Sequence, residues 1–256
     1  MSEAAGRAKQ TGVGGAQAVA APPMLEISEL SAGYDNVPVV RGLSISVSAG
    51  EVVALLGANG AGKTTTLRAI SGLVKVVSGS IRLDGRDLAG VTPTARAQAG
   101  IAHVPEGRGI FFGLTVAEHF GLGVNPSAAD IEEVLEYFPA LRGLQSRRAG
   151  LLSGGEQQML AIACALLHKP KLLLLDELSL GLAPVIVERL LPVVRQFADA
   201  RSTAVVLVEQ HVHLGLEIAN RAYVLAHGEL TTSGSVEELR ADSARLVASY
   251  LGETRA

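Results

Sequence analysis

Residues 57–64 read Gly-Ala-Asn-Gly-Ala-Gly-Lys-Thr and match GxxxxGK[ST], the spacing of a loop that binds nucleotide phosphates. Its glycines have no Cβ, so the backbone N–H groups can turn inward around phosphate oxygens. Lys63 can then reach the β- and γ-phosphates, and the Thr64 hydroxyl can ligate Mg²⁺. The residues predicted to surround the phosphates are Gly57, Ala58, Asn59, Gly60, Ala61, Gly62, Lys63, Thr64 and Thr65.

Two flanking elements must position this loop. The apolar run Val52–Leu56 predicts a strand before it, and residues 65–71 predict a helix after it. That helix would direct the positive end of its dipole toward the phosphates. A Gly-rich turn without a ligand is the competing interpretation, and the strand–loop–helix context argues against it.

A second chemical feature is the pair Asp176-Glu177, which follows the apolar run 172–175. The run predicts a buried strand of a parallel sheet, and ligands bind at the carboxyl ends of such strands. Asp176 is expected to hold the Mg²⁺ shell, and Glu177 to orient and polarise an attacking water. The alternative is a solvated acidic turn without a ligand, and the presence of a phosphate loop in the same chain argues against it.

The third feature is Ser153-Gly154-Gly155-Glu156 at the predicted start of a helix. Free N–H groups and one hydroxyl at a helix start form an anion site, although Ser153 also suits a simple helix cap. Two phosphate-binding elements in one small chain suggest that two chains pack head to tail and hold the same nucleotide from opposite sides.

Strands and helices alternate along most of the chain, which predicts an α/β fold with a mostly parallel central sheet. Asp130 is a plausible helix cap, and His227-Gly228 is a plausible hairpin turn. Strands are predicted at 25–27, 43–47, 52–56, 80–83, 101–104, 172–175, 204–208, 222–225 and 229–231; helices are predicted at 65–71, 115–122, 130–138, 153–167, 184–197, 212–219, 236–239 and 244–251.

Composition limits the possible functions. The net charge of −3 offers no basic footprint for nucleic acid, and no apolar run approaches the ~18 residues that span a bilayer. The single cysteine, Cys164, excludes an internal disulfide, fits a reducing cytoplasm and is expected to be an inert core residue. Residues 1–23 are rich in Ala and Gly, and we expect a disordered tail there in preference to a signal peptide.

The phosphate loop, the Ser-Gly-Gly element and the Asp-Glu strand together resemble the ATP-binding subunit of an ABC transporter over residues 24–252. The resemblance implies a P-loop ATPase fold with an antiparallel β subdomain and a helical subdomain at about 107–165. It implies that two subunits close on two ATP molecules, with Ser153–Glu156 of one facing the phosphate loop of the other. It also implies that Tyr34 stacks on adenine and that hydrolysis moves membrane permease subunits bound to the helical insert.

Four positions depart from the family pattern. The glutamine that contacts the metal is replaced by Glu106, and the histidine after the last core strand is replaced by Gln210. The Gln210 amide can donate a hydrogen bond to the γ-phosphate but carries no positive charge. His211 lies one residue late and is expected to be a surface residue at a helix start. Leu178 stands where the family has proline, and Cys164 where it has arginine.

The replacements at Glu106 and Gln210, with the runs at 105–108, 153–159 and 179–184, are similar to one of the two ATPase subunits of branched-chain amino-acid importers. This implies a peripheral protein on the cytoplasmic face of the inner membrane. Its implied partners are a second ATPase subunit, permease subunits and, indirectly, a substrate-binding protein. Two other functions stay open. The first is a nucleotide-binding module with weak hydrolysis. The second is a soluble ABC protein that acts on ribosomes or DNA, but the chain lacks the basic or coiled-coil insertions typical of such proteins.

Overall fold

The computed structural model describes residues 22–250, apart from the side chains of Ser243, Arg245 and Val247. The predicted tail at 1–23 therefore lies almost entirely outside the described residues, as does the predicted end of the domain at 251–252. In chain order the strands are β1 (Leu25–Tyr34), β2 (Val37–Val47), β3 (Val52–Leu56), β4 (Lys75–Leu83), β5 (Arg86–Asp87), β6 (Ile101–Val104), β7 (Leu172–Asp176), β8 (Ala204–Glu209), β9 (Arg221–Ala226) and β10 (Glu229–Ser235).

The strands form two sheets. Six lie in the order β10-β9-β3-β8-β7-β6, and all neighbours in that sheet pair in parallel except β9 and β10. The other four form an antiparallel sheet in the order β2-β1-β4-β5. Every residue of β3, β7 and β8 is buried, as expected for strands covered on both faces. The predicted α/β fold, with a mostly parallel sheet and a separate antiparallel sheet, is confirmed.

The helices cover both faces of the parallel sheet. Leu67 and Ile70 of the helix after the phosphate loop share a buried cluster with side chains from both sheets. The helices at Gly154–Leu167 and Pro184–Arg201 and the segment between β6 and β7 contribute side chains to another buried cluster. Among residues 22–250, no helix has the length and apolar composition needed to cross a membrane. The helices are α1 (Lys63–Ile70), α2 (Pro93–Gln98), α3 (Val116–Phe120), α4 (Ala128–Tyr137), α5 (Gly154–Leu167), α6 (Pro184–Arg201), α7 (Val212–Ile218), α8 (Val236–Ala241) and α9 (Ser243–Tyr250), with 3-10 turns at Pro139–Leu144 and Ala149–Leu151.

The predicted cap of α4 is wrong by three residues. Ser127 is the N-cap, and its hydroxyl accepts a hydrogen bond from the Asp130 N–H at 3.2 Å. Asp130 instead bonds back to the Ser127 N–H at 2.9 Å, which completes a capping box. Asp130 also pairs with Lys169, and these contacts lower the pKa of its carboxyl to about 2. Ser127 and Asp130 are both residue types that favour an N-cap, and the sequence alone does not show at which of them the first turn of α4 begins.

Several elements differ in extent from the prediction. β1 continues to Tyr34, and a bulge with Glu29 at φ 48° shifts the register of its pairing with β2 and β4. The bulge breaks the alternation of apolar and polar residues, so the sequence indicates only the first three positions. α2 was not predicted, although Thr92 caps it and Pro93 begins it. The hairpin between β9 and β10 is confirmed, and both of its turn residues, His227 and Gly228, have positive φ.

Cys164 lies on α5 and packs against the core formed by α5, α6 and the parallel sheet. Burial raises the pKa of its thiol to about 12. Because only the thiolate is nucleophilic, we expect a maleimide at pH 7 to alkylate the folded protein at least about 100-fold more slowly than free cysteine. Time-resolved labelling with mass spectrometry measures the rate, and the same protein in denaturant should react at the free-thiol rate. Rapid labelling of the folded protein would contradict the inert assignment.

Candidate functional site

Lys63, Thr64, Glu106, Glu177 and Gln210 line one cavity of about 360 Å³ at the carboxyl ends of the parallel strands, and Asp176 is buried directly behind Thr64. The phosphate loop and the start of α1 form its floor. Glu106 approaches from the loop after β6, Glu177 from the end of β7 and Gln210 from the end of β8. The lining residues are Val39, Asn59, Gly60, Gly62, Lys63, Thr64, Thr65, Glu106, Glu177, Leu180 and Gln210.

Two glycines of the loop are required by its shape. Gly62 has φ 104°, and a Cβ there would lie 2.5 Å from Cγ1 of Val40. A Cβ on Gly57 would lie 2.4 Å from the Leu225 carbonyl oxygen. A larger residue at either place would force the loop away from the sheet. The loop therefore stays against the ends of β3 and β9, and its following helix begins at Lys63.

Lys63 is almost completely buried at the base of the cavity, with 4% of its side chain exposed. Its Nζ donates to the carbonyl oxygens of Gly57 at 2.9 Å and Ala58 at 3.1 Å. The same ammonium lies 3.4 Å from Oε1 of Glu177. The loop therefore holds the Lys63 ammonium group in a fixed place, next to the Glu177 carboxylate at the end of β7.

Asp176 and Thr64 are also in contact. The Thr64 hydroxyl donates to Oδ1 of Asp176 at 3.1 Å, and Asp176 is 3% exposed. Burial raises the pKa of the Asp176 carboxyl to about 6, and the nearby charges of Glu177 and Glu106 add to this, against the bond from Thr64. The carboxylate therefore lies in a place where a cation would relieve the repulsion among three acidic groups.

The backbone fixes Glu177 at the turn that leaves β7. Its φ is 48°, in the left-handed region, and its N–H donates to the Val208 carbonyl at 3.0 Å. The next residue, Leu178, is 1% exposed. Although Leu178 replaces a proline of the family pattern, its buried side chain anchors this turn, and Glu177 still faces the cavity.

The comparisons with known proteins agree with this geometry. The family model of the ABC transporter matches residues 40–179. The high-affinity branched-chain amino acid transport ATP-binding protein BraG of Pseudomonas aeruginosa is 44% identical, covering 81% of this chain and 91% of BraG. The chain belongs to the ABC transporter family.

Two further relatives support the same assignment. The probable branched-chain amino acid transport ATP-binding protein LivF of Archaeoglobus fulgidus is 37% identical, covering 84% of this chain and 94% of LivF. A solved structure of the ATP binding subunit of an ABC transporter has 29% identity and a TM-score of 0.76, covering 91% of this chain and 100% of that chain. The protein is therefore an ATP-binding ATPase subunit of an ABC transporter.

Gln210 and Glu106 occupy the cavity of this ABC subunit as the sequence predicts. The backbone carbonyl of Gln210 accepts a hydrogen bond from the Tyr250 hydroxyl at 3.0 Å, so α9 helps to hold the loop after β8. Glu106 is exposed. His211 is the exposed N-cap of α7, which agrees with the surface position expected for it.

Tyr34 and the Ser153 element lie outside the residues that line the cavity. Tyr34 is 47% exposed at the end of β1, and its hydroxyl accepts a hydrogen bond from Nη1 of Arg68 on α1 at 3.1 Å. Ser153 caps α5 in a capping box, with Glu156 Oε2 accepting from its backbone N–H at 2.7 Å and its hydroxyl at 2.9 Å. Within the described part of the chain, neither Tyr34 nor Ser153 forms a hydrogen bond with the phosphate loop.

The sequence analysis missed two groups of residues around the site. Arg108, with φ 66°, donates to Oε1 of Gln157 at 2.6 Å and to Oε1 of Gln158 at 3.2 Å. It thereby ties the Glu106 loop to α5. Glu209 is buried at the end of β8 and contacts Ser179. An acidic residue that ends an otherwise apolar strand, as in Ala-Val-Val-Leu-Val-Glu, is a sequence signal that could have singled out Glu209.

Proposed function

We propose that this subunit hydrolyses MgATP in the cavity and that hydrolysis energises solute import through membrane permease subunits. The observation that carries the proposal is that the phosphate loop, Glu177 and Gln210 line one cavity, with Asp176 buried behind Thr64 and bonded to its hydroxyl. Phosphoryl transfer needs mainly positioning and charge stabilisation, and this arrangement supplies both. The proposed ATPase domain spans 24–252, with the helical subdomain at about 107–165.

Phosphate binding would use the loop backbone and Lys63, whose ammonium now bonds to two loop carbonyls and a carboxylate. Phosphate oxygens would replace these partners. Tyr34 would stack on adenine beside α1.

The donor set fits a magnesium ion, which prefers oxygen ligands and takes several from phosphate and water. Thr64 and Asp176, assisted by Glu106, would hold it. The described residues contain no group of three or more acidic, His or Cys side chains arranged to hold a metal. Phosphate oxygens and water would therefore supply most of the ligands. When bound, the ion neutralises charge that develops on the phosphates.

Glu177 would prepare the attacking water. Its carboxylate faces the cavity and its backbone is fixed at two points, the N–H bond to Val208 and the buried side chain of Leu178. Gln210 would donate an amide hydrogen bond to the γ-phosphate. These roles divide the chemistry between a base at the end of β7 and a neutral donor at the end of β8.

A complete site would need two subunits. The Ser153-Gly154-Gly155-Glu156 tip lies outside the cavity of its own chain. Its exposed serine and helix start suit an anion held by a neighbouring subunit. We therefore propose a dimer, with itself or with a related ATPase, in which each tip closes the other subunit's cavity.

The proposed cargo is a branched-chain amino acid or a related small solute. The support is the names of BraG and LivF, together with the identities of 44% and 37% over most of the chain. Permease subunits and, indirectly, a substrate-binding protein would complete the transporter. The subunit would be peripheral, on the cytoplasmic face of the inner membrane.

A second function follows from the residues at two family positions. Glu106 adds a negative charge to the cavity, and Gln210 lacks the positive charge that histidine can carry. A subunit of this kind could close on ATP, hydrolyse it weakly and form one degenerate site of a mixed dimer.

Steady-state turnover separates the two functions. We expect the purified protein to hydrolyse ATP in the presence of Mg²⁺. Hydrolysis should stop when EDTA removes the ion, and its rate should rise when a partner ATPase is added. Phosphate release over a range of protein concentrations measures all three. Absence of turnover in every setting, with ATP still bound, would favour the weak module and overturn the hydrolytic role.

A further inference from the structure

Glu209 is a buried acid that the proposed mechanism does not use. It is the last residue of β8, directly before Gln210, and is 1% exposed. Its Oε1 accepts from the Ser179 N–H at 3.0 Å, and its Oε2 accepts from the Ser179 hydroxyl at 2.7 Å. Both carboxylate oxygens therefore hold the same residue of a different loop.

A buried carboxylate needs such partners because burial disfavours its charge. Burial raises the pKa of Glu209, the nearby charge of Glu177 adds to this, and the two bonds from Ser179 oppose it. The other residues of β8 are all apolar and equally buried. An apolar residue at position 209 would fill that place without this penalty but would leave the Ser179 N–H and hydroxyl without these acceptors.

Ser179 lies two residues after Glu177, at a turn with little freedom. The Glu177 N–H bonds to the Val208 carbonyl at 3.0 Å, and the two Glu209 bonds follow at Ser179. Three bonds from the end of β8 therefore fix residues 177–179. They hold Glu177 at φ 48°, a conformation that non-glycine residues rarely adopt.

We propose that Glu209 is a positioning residue for ATP hydrolysis, which holds Ser179 and thereby the backbone that carries Glu177. The inference rests on the function proposed above. It also joins the end of β8, where Gln210 lines the cavity, to the loop 177–183. Ser179 and Glu209 lie 30 residues apart in sequence and meet because β7 and β8 are neighbours.

The test is a comparison of kcat and KM for ATP among six variants. Loss of both bonds in Glu209→Ala should lower kcat about 20-fold, because a misplaced base loses rate steeply. Loss of one bond in Ser179→Ala should lower kcat about threefold. The double variant should be no slower than Glu209→Ala, because both changes remove the same contact. KM should change less than about twofold, since the phosphate loop is untouched.

Glu209→Gln is the fourth variant and separates position from charge. Its amide oxygen can accept from the Ser179 N–H, and its NH₂ group can donate to the Ser179 hydroxyl, so both contacts survive without the charge. We expect it to recover most of the kcat lost in Glu209→Ala. The matched control is Glu188→Gln, an exposed position on α6, which should behave as the wild type.

Full kcat in Ser179→Ala and Glu209→Ala would overturn the inference. So would a Glu209→Gln protein as slow as Glu209→Ala, which would indicate a role for the charge alone. If Glu209→Ala does not fold, unchanged kcat in the more exposed Ser179→Ala still decides against the inference. A Glu177→Gln protein with full turnover contradicts the proposed function instead. Loss of turnover in Glu177→Gln with full turnover in Glu209→Ala contradicts only the positioning role.

Discussion

Replacing Glu177 with glutamine should leave ATP bound and reduce its turnover by at least about 100-fold, the usual contribution of a positioned general base. Glutamine keeps the size of the side chain and its place at the end of β7, so nucleotide binding should survive. It cannot take a proton from water. Phosphate release measures turnover, and equilibrium binding of a fluorescent ATP analogue measures affinity.

The same variant should also accumulate a closed dimer, because ATP is held without being consumed. Size-exclusion chromatography with light scattering, with and without ATP, would detect that dimer. Adding Ser153→Arg should abolish it, because a long charged side chain at the tip of α5 would block a neighbouring cavity. Glu188→Gln is the control for loss of a carboxylate elsewhere. Undiminished hydrolysis by Glu177→Gln would remove Glu177 from its assigned role.

Local patterns predicted the parts of the fold that depend on neighbouring residues. The continuous apolar runs of β3 and β7 indicated buried parallel strands, and both are buried throughout. Ser153 was predicted as a cap of α5, and its capping box confirms that. In each case the physical cause lies within a few residues of the pattern.

The errors arose where the deciding contact is distant or where two local solutions compete. Asp130 and Ser127 both suit the start of α4, and the sequence does not fix the register of the turn. The bulge at Glu29 places a left-handed residue inside β1, which period-two alternation does not anticipate. Glu209 and Ser179 are brought together only by the order of strands in the sheet. That order follows from packing of the whole chain.

The candidate site was visible in the sequence because its residues follow directly after strands and loops with strong local signatures. Lys63 followed from the spacing of the phosphate loop, and Asp176 and Glu177 followed from the rule that ligands bind at the carboxyl ends of parallel strands. The contacts among them were not visible. The structure adds that Lys63 and Glu177 are an ion pair at 3.4 Å and that Thr64 bonds to Asp176. Lys63, Thr64 and Asp176 therefore already have protein partners, which bound phosphate and metal would replace.

This arrangement explains why Lys63→Ala should have a large effect on binding. The variant removes the cation at the base of the loop, and a charged hydrogen bond to phosphate contributes up to about 3 kcal/mol. We expect ATP affinity to fall about 100-fold. Because Lys63 also bonds to the Gly57 and Ala58 carbonyls, the empty loop should lose part of its order as well. Titration with a fluorescent ATP analogue measures the affinity, and hydrogen exchange at 57–62 measures the loop.

The matched control is Lys171→Ala, which removes an exposed lysine paired with Asp84 on the surface. Surface pairs of this kind stabilise by at most about 1 kcal/mol, so this variant should bind ATP normally. Comparison of the two separates the phosphate contact from the general loss of a positive charge. If Lys63→Ala binds ATP as tightly as Lys171→Ala, the glycine loop is not where this protein holds the phosphates.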